Sequence, residues 1–210
     1  MALETRFALG FKVHTGRATV VALAGPKEAP EILAKTRIEV AFTFYEGAVF
    51  HAAQDLPIEK ARALVRDAEI RFTKRARTEL ATFISSLGGK IFAAGMVSPA
   101  TKPLPPIESI LRSHPLVHAA EGELYRRVFS GASAALGAQP RRVLAPALAH
   151  NTAAALGLTS ATLAARLAAM GNASGRPWAA DQKEATLVAW LALVGGPVRA
   201  SPKRRGEPDC

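Results

Sequence analysis

Strand-type patterns fill the first forty residues of this 210-residue chain, and no sustained helical periodicity precedes Pro57. The runs Phe7 to Val13 and Ala18 to Ala24 are apolar and rich in strand formers. His14-Thr15-Gly16-Arg17 between them predicts a hairpin turning near Thr15-Gly16. Glu31 to Val40 then alternates, with Ile32, Ala34, Thr36, Ile38 and Val40 set against Leu33, Lys35, Arg37 and Glu39. That is the pattern of a strand with one wet face at a sheet edge. Three strands joined by short links pair most simply as an antiparallel meander.

The rest of the chain adds helices and two further strands. Ala41 to Leu56 is aromatic-rich and aperiodic, so it reads as a loop that folds over the core or contacts a ligand. Asp55 as N-cap and Pro57 in the first turn open the longest helix, which Gly88-Gly89 stops near Leu87. Ala61, Leu64, Val65, Ala68, Phe72, Leu80, Phe83, Ile84 and Leu87 recur on its apolar face. Its other faces mix arginines and lysines with Glu59, Asp67, Glu69 and Glu79, which favours a solvated surface over a phosphate-contacting ridge. Lys90 to Val97 is a short apolar run after a helix, hence a buried parallel strand, and the proline-rich SPATKPLPP then interrupts regular structure. A helical turn over Ile107 to Arg112 leads to a helix capped by Ser113 and closed by Gly137. Arg142 to Ala145 is a second buried strand, and Ala147 to Leu156 a helix ending at Gly157. Ser160 caps a helix through Met170 that Gly171 stops, and after the loop NASGRPW the last helix runs from Ala179 to Val194.

Length and composition fit one domain over residues 1–196, followed by a basic, disordered tail over 197–210. The formal charge is +10 and the pI about 10.4. The segment from Arg199 onward holds four bases and two acids, which leaves +8 on the body. Such a balance favours polyanions, nucleic acid before anionic membrane, unless it serves solubility alone. The single cysteine, Cys210, allows no internal disulfide and is compatible with a reducing cytoplasm. The N-terminus lacks a signal-peptide pattern, and no stretch approaches the roughly 18 apolar residues of a membrane span.

The element order resembles the RNase H-like fold, and within it the bacterial Holliday-junction resolvases. LGFKVHTG at Leu9 to Gly16 is similar to that group's first-strand motif, approximately L-G-I-D-x-G. WAADQKEATLVAWLAL at Trp178 to Leu193 is similar to its final helix. The resemblance implies an α/β fold with a mixed sheet, an antiparallel meander of three strands plus two parallel strands, flanked by helices. It also implies acidic residues on the first strand, the fourth strand and the final helix that hold divalent metal, Mg2+ or Mn2+, for phosphodiester cleavage. Carried over, the final-helix acid falls on Asp181, the first-strand acid on Lys12, and the fourth-strand position on Ala94, Gly95 or Met96. A protonated lysine repels a metal cation, so Lys12 is expected beside Asp181 as an internal cation in the vacated site. Sugar kinases and actin-like ATPases share the phosphate-binding hairpin, but the chain's length and Lys12 argue against them.

The segment Ser113 to Arg127 concentrates unusual chemistry. His114, His118, Glu121 and Tyr125 follow at i, i+4, i+7 and i+11 and share one helix face, with Glu123 just off it. His114, His118 and Glu121 are candidate metal ligands, with a fourth from Asp181, His51 or water. The alternative is that His118 hydrogen-bonds a neighbour and Glu121 pairs with an arginine. Arg126 and Arg127 either hold an anion or neutralise the nearby glutamates. Trp178 is either core or a stacking platform. The leading reading is a non-catalytic or atypical RNase H-like domain that binds nucleic acid, or a nucleic-acid-associated protein, with Lys12, Arg17, Lys183 and Arg126 as candidate contacts. A divalent-metal nuclease using Glu121, Glu123 and Asp181 with His118 is the enzyme alternative. A structural or dimerising module is the third.

Overall fold

The computed structural model describes residues 5–99 and 103–195. Strands β1 (Thr5–His14), β2 (Arg17–Ala24) and β3 (Glu31–Glu39) come first, then helices α1 (Phe44–Gly47), α2 (Val49–Ala53) and α3 (Ile58–Ser86). Strand β4 (Gly89–Ser98), helices α4 (Ile107–Leu111) and α5 (His114–Ala135) and strand β5 (Pro140–Leu144) follow. A 3-10 turn at Ala145–Ala147 leads into α6 (Leu148–Leu156), α7 (Ser160–Ser174) and α8 (Ala180–Gly195). The expected tail over 197–210 lies outside the described residues, as do its charges.

The five strands form one sheet in the order β3-β2-β1-β4-β5. β1 and β2 pair antiparallel with His14 opposite Arg17, so the hairpin turns at Thr15-Gly16, where Gly16 takes a φ of 75°. β3 adds antiparallel to β2 and ends the sheet there, while β4 and β5 add in parallel on the other side of β1. This is the mixed sheet of three antiparallel and two parallel strands that the sequence predicts.

The two faces of the sheet bury different helices because strand side chains alternate. Phe7, Leu9 and Phe11 of β1, with Val20 and Ala22 of β2, pack with Phe72 and Leu80 of α3 and Leu124, Tyr125 and Phe129 of α5. Val21, Leu23, Val97 and Val143 face the other way and pack with Val188, Ala189 and Trp190 of α8, Leu148 of α6 and Leu163 of α7. Phe72 and Phe129 are fully buried, worth about 2 kcal/mol each in transfer energy. Trp190 is buried as well, and its indole N–H donates to Lys27 O at 2.8 Å, which fastens the β2–β3 connection to α8.

Backbone contact between α8 and the sheet is unusually close. Gly10 and Gly95 are register partners on β1 and β4. A Cβ on Gly10 would overlap Ala185 O, and one on Gly95 would overlap Val188 O and come within 2.7 Å of Val188 Cγ2. Here glycine serves close approach, not a turn.

Local details depart from the sequence reading. The alternation of β3 does not hold along its length: the register shifts where Ala22 pairs with Ala34 but Leu23 pairs with Ile32. Leu33 is the extra residue, so Ile32 joins the α8 face while Ile38 joins the α3–α5 face. The stretch expected as a loop after Ala41 contains α1 and α2; Thr43 caps α1 by accepting from Glu46 N at 3.1 Å. α3 is preceded by Pro57 at the N-cap position, so Asp55 is not the cap. Gly171 does not stop α7, which continues to Ser174. A Cβ there would overlap the Trp178 indole, so this glycine makes room for a ring and Gly175, with φ 73°, ends the helix. No single helix among the described residues is long and apolar enough to cross a membrane.

Candidate functional site

Chemistry-bearing side chains gather at the end of the sheet where β1 turns into β2, on both of its faces. On the α8 face, Lys12 and His14 point the same way because they are two residues apart on a strand. Asp181 and Glu184 share a helix face because they are three apart. The helix runs antiparallel to β1, so the partners match in reverse order. Lys12 Nζ lies 2.6 Å from Glu184 Oε2, and His14 Nε2 lies 2.9 Å from Asp181 Oδ2. All four side chains are between 22% and 35% exposed, so water partly screens both pairs. Asp181 also occupies the first turn of α8, where the helix dipole favours an anion.

On the opposite face, Glu121 of α5 is 3% exposed. Its Oε1 accepts from the ring Nδ1 of His51 at 3.0 Å and from the His51 backbone N–H at 3.4 Å. His114 and His118 lie beside that ring, their Nε2 atoms 3.0 Å apart, one donating and the other accepting. Tyr125, one turn beyond Glu121, donates from its hydroxyl to Gly47 O at 2.9 Å and so holds α1 against α5. Burial, with the Glu121 and Glu46 charges, pushes the Tyr125 phenol far above its ordinary pKa. Glu121 and His118 line a cleft of about 360 Å³ with Thr15, Gly16, Arg17 and Phe44.

No protein-family model matches the sequence, and no curated protein matches it. Solved structures do. RuvC of Thermus thermophilus in complex with a Holliday junction substrate superposes with a TM-score of 0.53 at 10% identity, covering 90% of this chain and 93% of that one. A second Thermus thermophilus RuvC structure gives a TM-score of 0.50 with the same identity and coverage. The fold is RNase H-like, as in RuvC.

In this RNase H-like frame the candidate residues scatter. Lys12 and Asp181 lie on the adjacent elements β1 and α8 but do not pair with each other: their partners are Glu184 and His14. Glu184, which no motif in the sequence singles out, is the partner of Lys12. At the fourth strand Gly95 lies directly under α8, and no carboxylate fits there. The carboxylates of the nuclease set are not brought together. Glu121 contacts His51, and Asp181 sits on the other face of the sheet with His14. Glu123 accepts from Arg126 Nε at 3.0 Å and from Arg142 Nη1, which lies 2.8 Å from its Oε1. Burial pushes the Glu123 carboxyl up, but the hydrogen bonds from Arg142 and Arg126 outweigh it and hold its pKa below the ordinary range.

Arg126, a candidate nucleic-acid contact in the sequence, is 8% exposed, and its Nε donates to Glu123. Arg127 is likewise taken, in a two-point pair with Glu69 at 2.9 and 2.8 Å. Lys183 is exposed and Arg17 half-buried, and neither forms an ion pair among the described residues. His51 and His14 carry more of the geometry than the sequence suggests. His51 lies in an aperiodic stretch and His14 in a turn motif, so neither shows a pattern that marks it.

Proposed function

We propose that this chain is a nucleic-acid-associated RNase H-like domain in which a lysine–glutamate ion pair occupies the place where catalytic members of the fold hold divalent metal. The Lys12–Glu184 pair carries the reading. A lysine ammonium at 2.6 Å from one final-helix carboxylate supplies the positive charge that a cation would otherwise supply. His14 Nε2 engages the second carboxylate, lying 2.9 Å from Asp181 Oδ2. The close seating of α8 on Gly95 leaves no third acid.

Association with nucleic acid is supported by the net charge of +10 and by Arg17 and Lys183, cations near this end of the sheet without an acidic partner among the described residues. The RuvC structure in complex with a Holliday junction makes branched DNA the first ligand to try. Fluorescence anisotropy with four-way junction, duplex and single-stranded DNA and with RNA, from about 50 to 200 mM salt, tests the reading. The expected result is binding that weakens steeply with salt and no cleavage with Mg2+ or Mn2+. Cleavage that disappears in Asp181→Ala would overturn the non-catalytic half. Absence of salt-sensitive binding to every one of these probes would overturn the other.

A further inference from the structure

We propose that His51, His114 and His118 form a binding site for one first-row divalent transition-metal ion of the Zn2+ class, oriented by Glu121. The site is independent of the proposed nucleic-acid function, since it lies on the other face of the sheet from Lys12 and Glu184. Three imidazoles from α2 and from the first turns of α5 converge so that one ring nitrogen of each lies within 4.8 Å of the others. The rings meet edge to face, with centroids 4.4 Å apart for His114 and His118, 4.8 Å for His51 and His118, and 5.4 Å for His51 and His114. Tetrahedral Zn–N bonds of about 2.0–2.1 Å separate neighbouring ligand nitrogens by roughly 3.3 Å. The His114–His118 separation of 3.0 Å is close to that value, and the three nitrogens, all within 4.8 Å of one another, need draw together by at most about 1.5 Å to meet on one ion.

Glu121 is the second observation. A carboxylate that is 3% exposed is expensive to bury unless firmly paired, and its hydrogen-bond partners among the described residues are the ring and the amide of His51. That is the arrangement by which a carboxylate fixes a metal-binding histidine: Nδ1 donates to the acid, and the lone pair of Nε2 is left for the ion. Tyr125 steadies the other side of the frame by anchoring Gly47, two residues before α2 begins. Neutral nitrogen donors select Zn2+, Co2+, Ni2+ or Cu2+ over Mg2+ and Ca2+, which require oxygen. His114 and His118 are exposed, so an ion enters from solvent and retains water in its remaining position.

The test uses the full chain freed of metal by a chelator and titrated with ZnCl2 by calorimetry, with Co2+ absorption spectra reporting geometry. The expected result is one ion per chain, with visible Co2+ bands of a nitrogen-ligated, four-coordinate site, and no displacement by Mg2+. His114→Ala and His118→Ala change exposed residues, so their folding is expected to survive; each should weaken Zn2+ binding at least 100-fold. Glu121→Gln should weaken it by about 10- to 100-fold, and His150→Ala, at an exposed histidine on α6, should leave it unchanged. Failure of the wild type to bind Zn2+, or binding that survives both His114→Ala and His118→Ala, overturns the proposal.

Discussion

Lys12 Nζ and Glu184 Oε2 are 2.6 Å apart, joining the first strand to the last helix through opposite charges. Under the proposed function the contact takes the place at which catalytic RNase H-like proteins gather carboxylates around metal, with one member of that set reversed in sign. The substitution Lys12→Asp should reverse the sign again. The new carboxylate would face Asp181 and Glu184, and without a cation the mutual repulsion should destabilise the fold by about 1–3 kcal/mol. Mg2+, which imidazoles bind poorly, should then raise the melting temperature of Lys12→Asp in a dose-dependent way and leave the wild type unmoved. Thermal denaturation with and without MgCl2 measures both. A variant that gains nothing from Mg2+ shows that the two helix acids are not placed for a metal.

Gly95 and Gly10 set the distance between α8 and the sheet. Gly95→Ala forces a methyl group into the Val188 carbonyl, and backbone cannot yield as a flexible side chain does. The expected loss is about 3 kcal/mol or more by urea denaturation. Gly131→Ala is the control. It lies within α5, where the new methyl would meet Thr73 Cγ2 at an ordinary 3.5 Å. Helix propensity there favours alanine by up to about 1 kcal/mol, so that variant should be neutral or stabilised.

Local signals and long-range contacts differ in how far the sequence conveys them. The meander, the two parallel strands and the final helix are legible because apolar runs of strand length and glycine stops are local. Lys12 is legible as an anomaly, since a motif places a cation where an acid is expected. Its partner is not: Glu184 looks like any exposed helix acid until α8 is laid antiparallel on β1. His51 enters the sequence reading only as one of three possible fourth ligands, because it is 63 positions from His114 and in a stretch with no period. Gly171 misleads as a helix stop because a glycine that ends a helix and one that admits an indole look the same in sequence.

Glu123 should impose a pH dependence on stability. Its pKa is lowered in the folded chain despite burial, through Arg142 and Arg126. A group with a depressed folded pKa contributes stability above its unfolded value, about 4.3 for glutamate, and that contribution fades as pH falls through the folded pKa. Wild-type stability should therefore decline below about pH 4.3. Glu123→Gln should be less stable by about 1–2 kcal/mol at pH 7 and should show a shallower decline in the acid window. Urea titrations from about pH 3 to pH 7 compare the two across that window, and parallel curves would mean that the arginine bridge contributes nothing.

Arg17 and Lys183 should act on nucleic-acid affinity without touching the fold, because neither engages an acid among the described residues. Each alanine substitution removes at most one phosphate contact. The slope of log affinity against log salt should shrink by about one per variant, similarly for all sequences tested. Arg126→Ala, by contrast, should lower stability, because it breaks the pair with Glu123, and leave that slope unchanged.

Tyr125→Phe isolates the support of the histidine cluster from its ligands. The Tyr125 hydroxyl is buried and donates to Gly47 O at 2.9 Å, so phenylalanine keeps the ring packed against Phe72 while removing one hydrogen bond. Global stability should fall by only about 1 kcal/mol. The larger change should be local, because α1 and α2 are short and depend on tertiary anchors more than on their own helical hydrogen bonds. Amides from Phe44 to Ala53 should exchange faster in the variant, while those of α3 and β1 stay protected. His51 belongs to α2, so Zn2+ affinity should fall severalfold although every proposed ligand is intact. Unchanged exchange over Phe44 to Ala53 would show that the hydroxyl does not hold this segment in place.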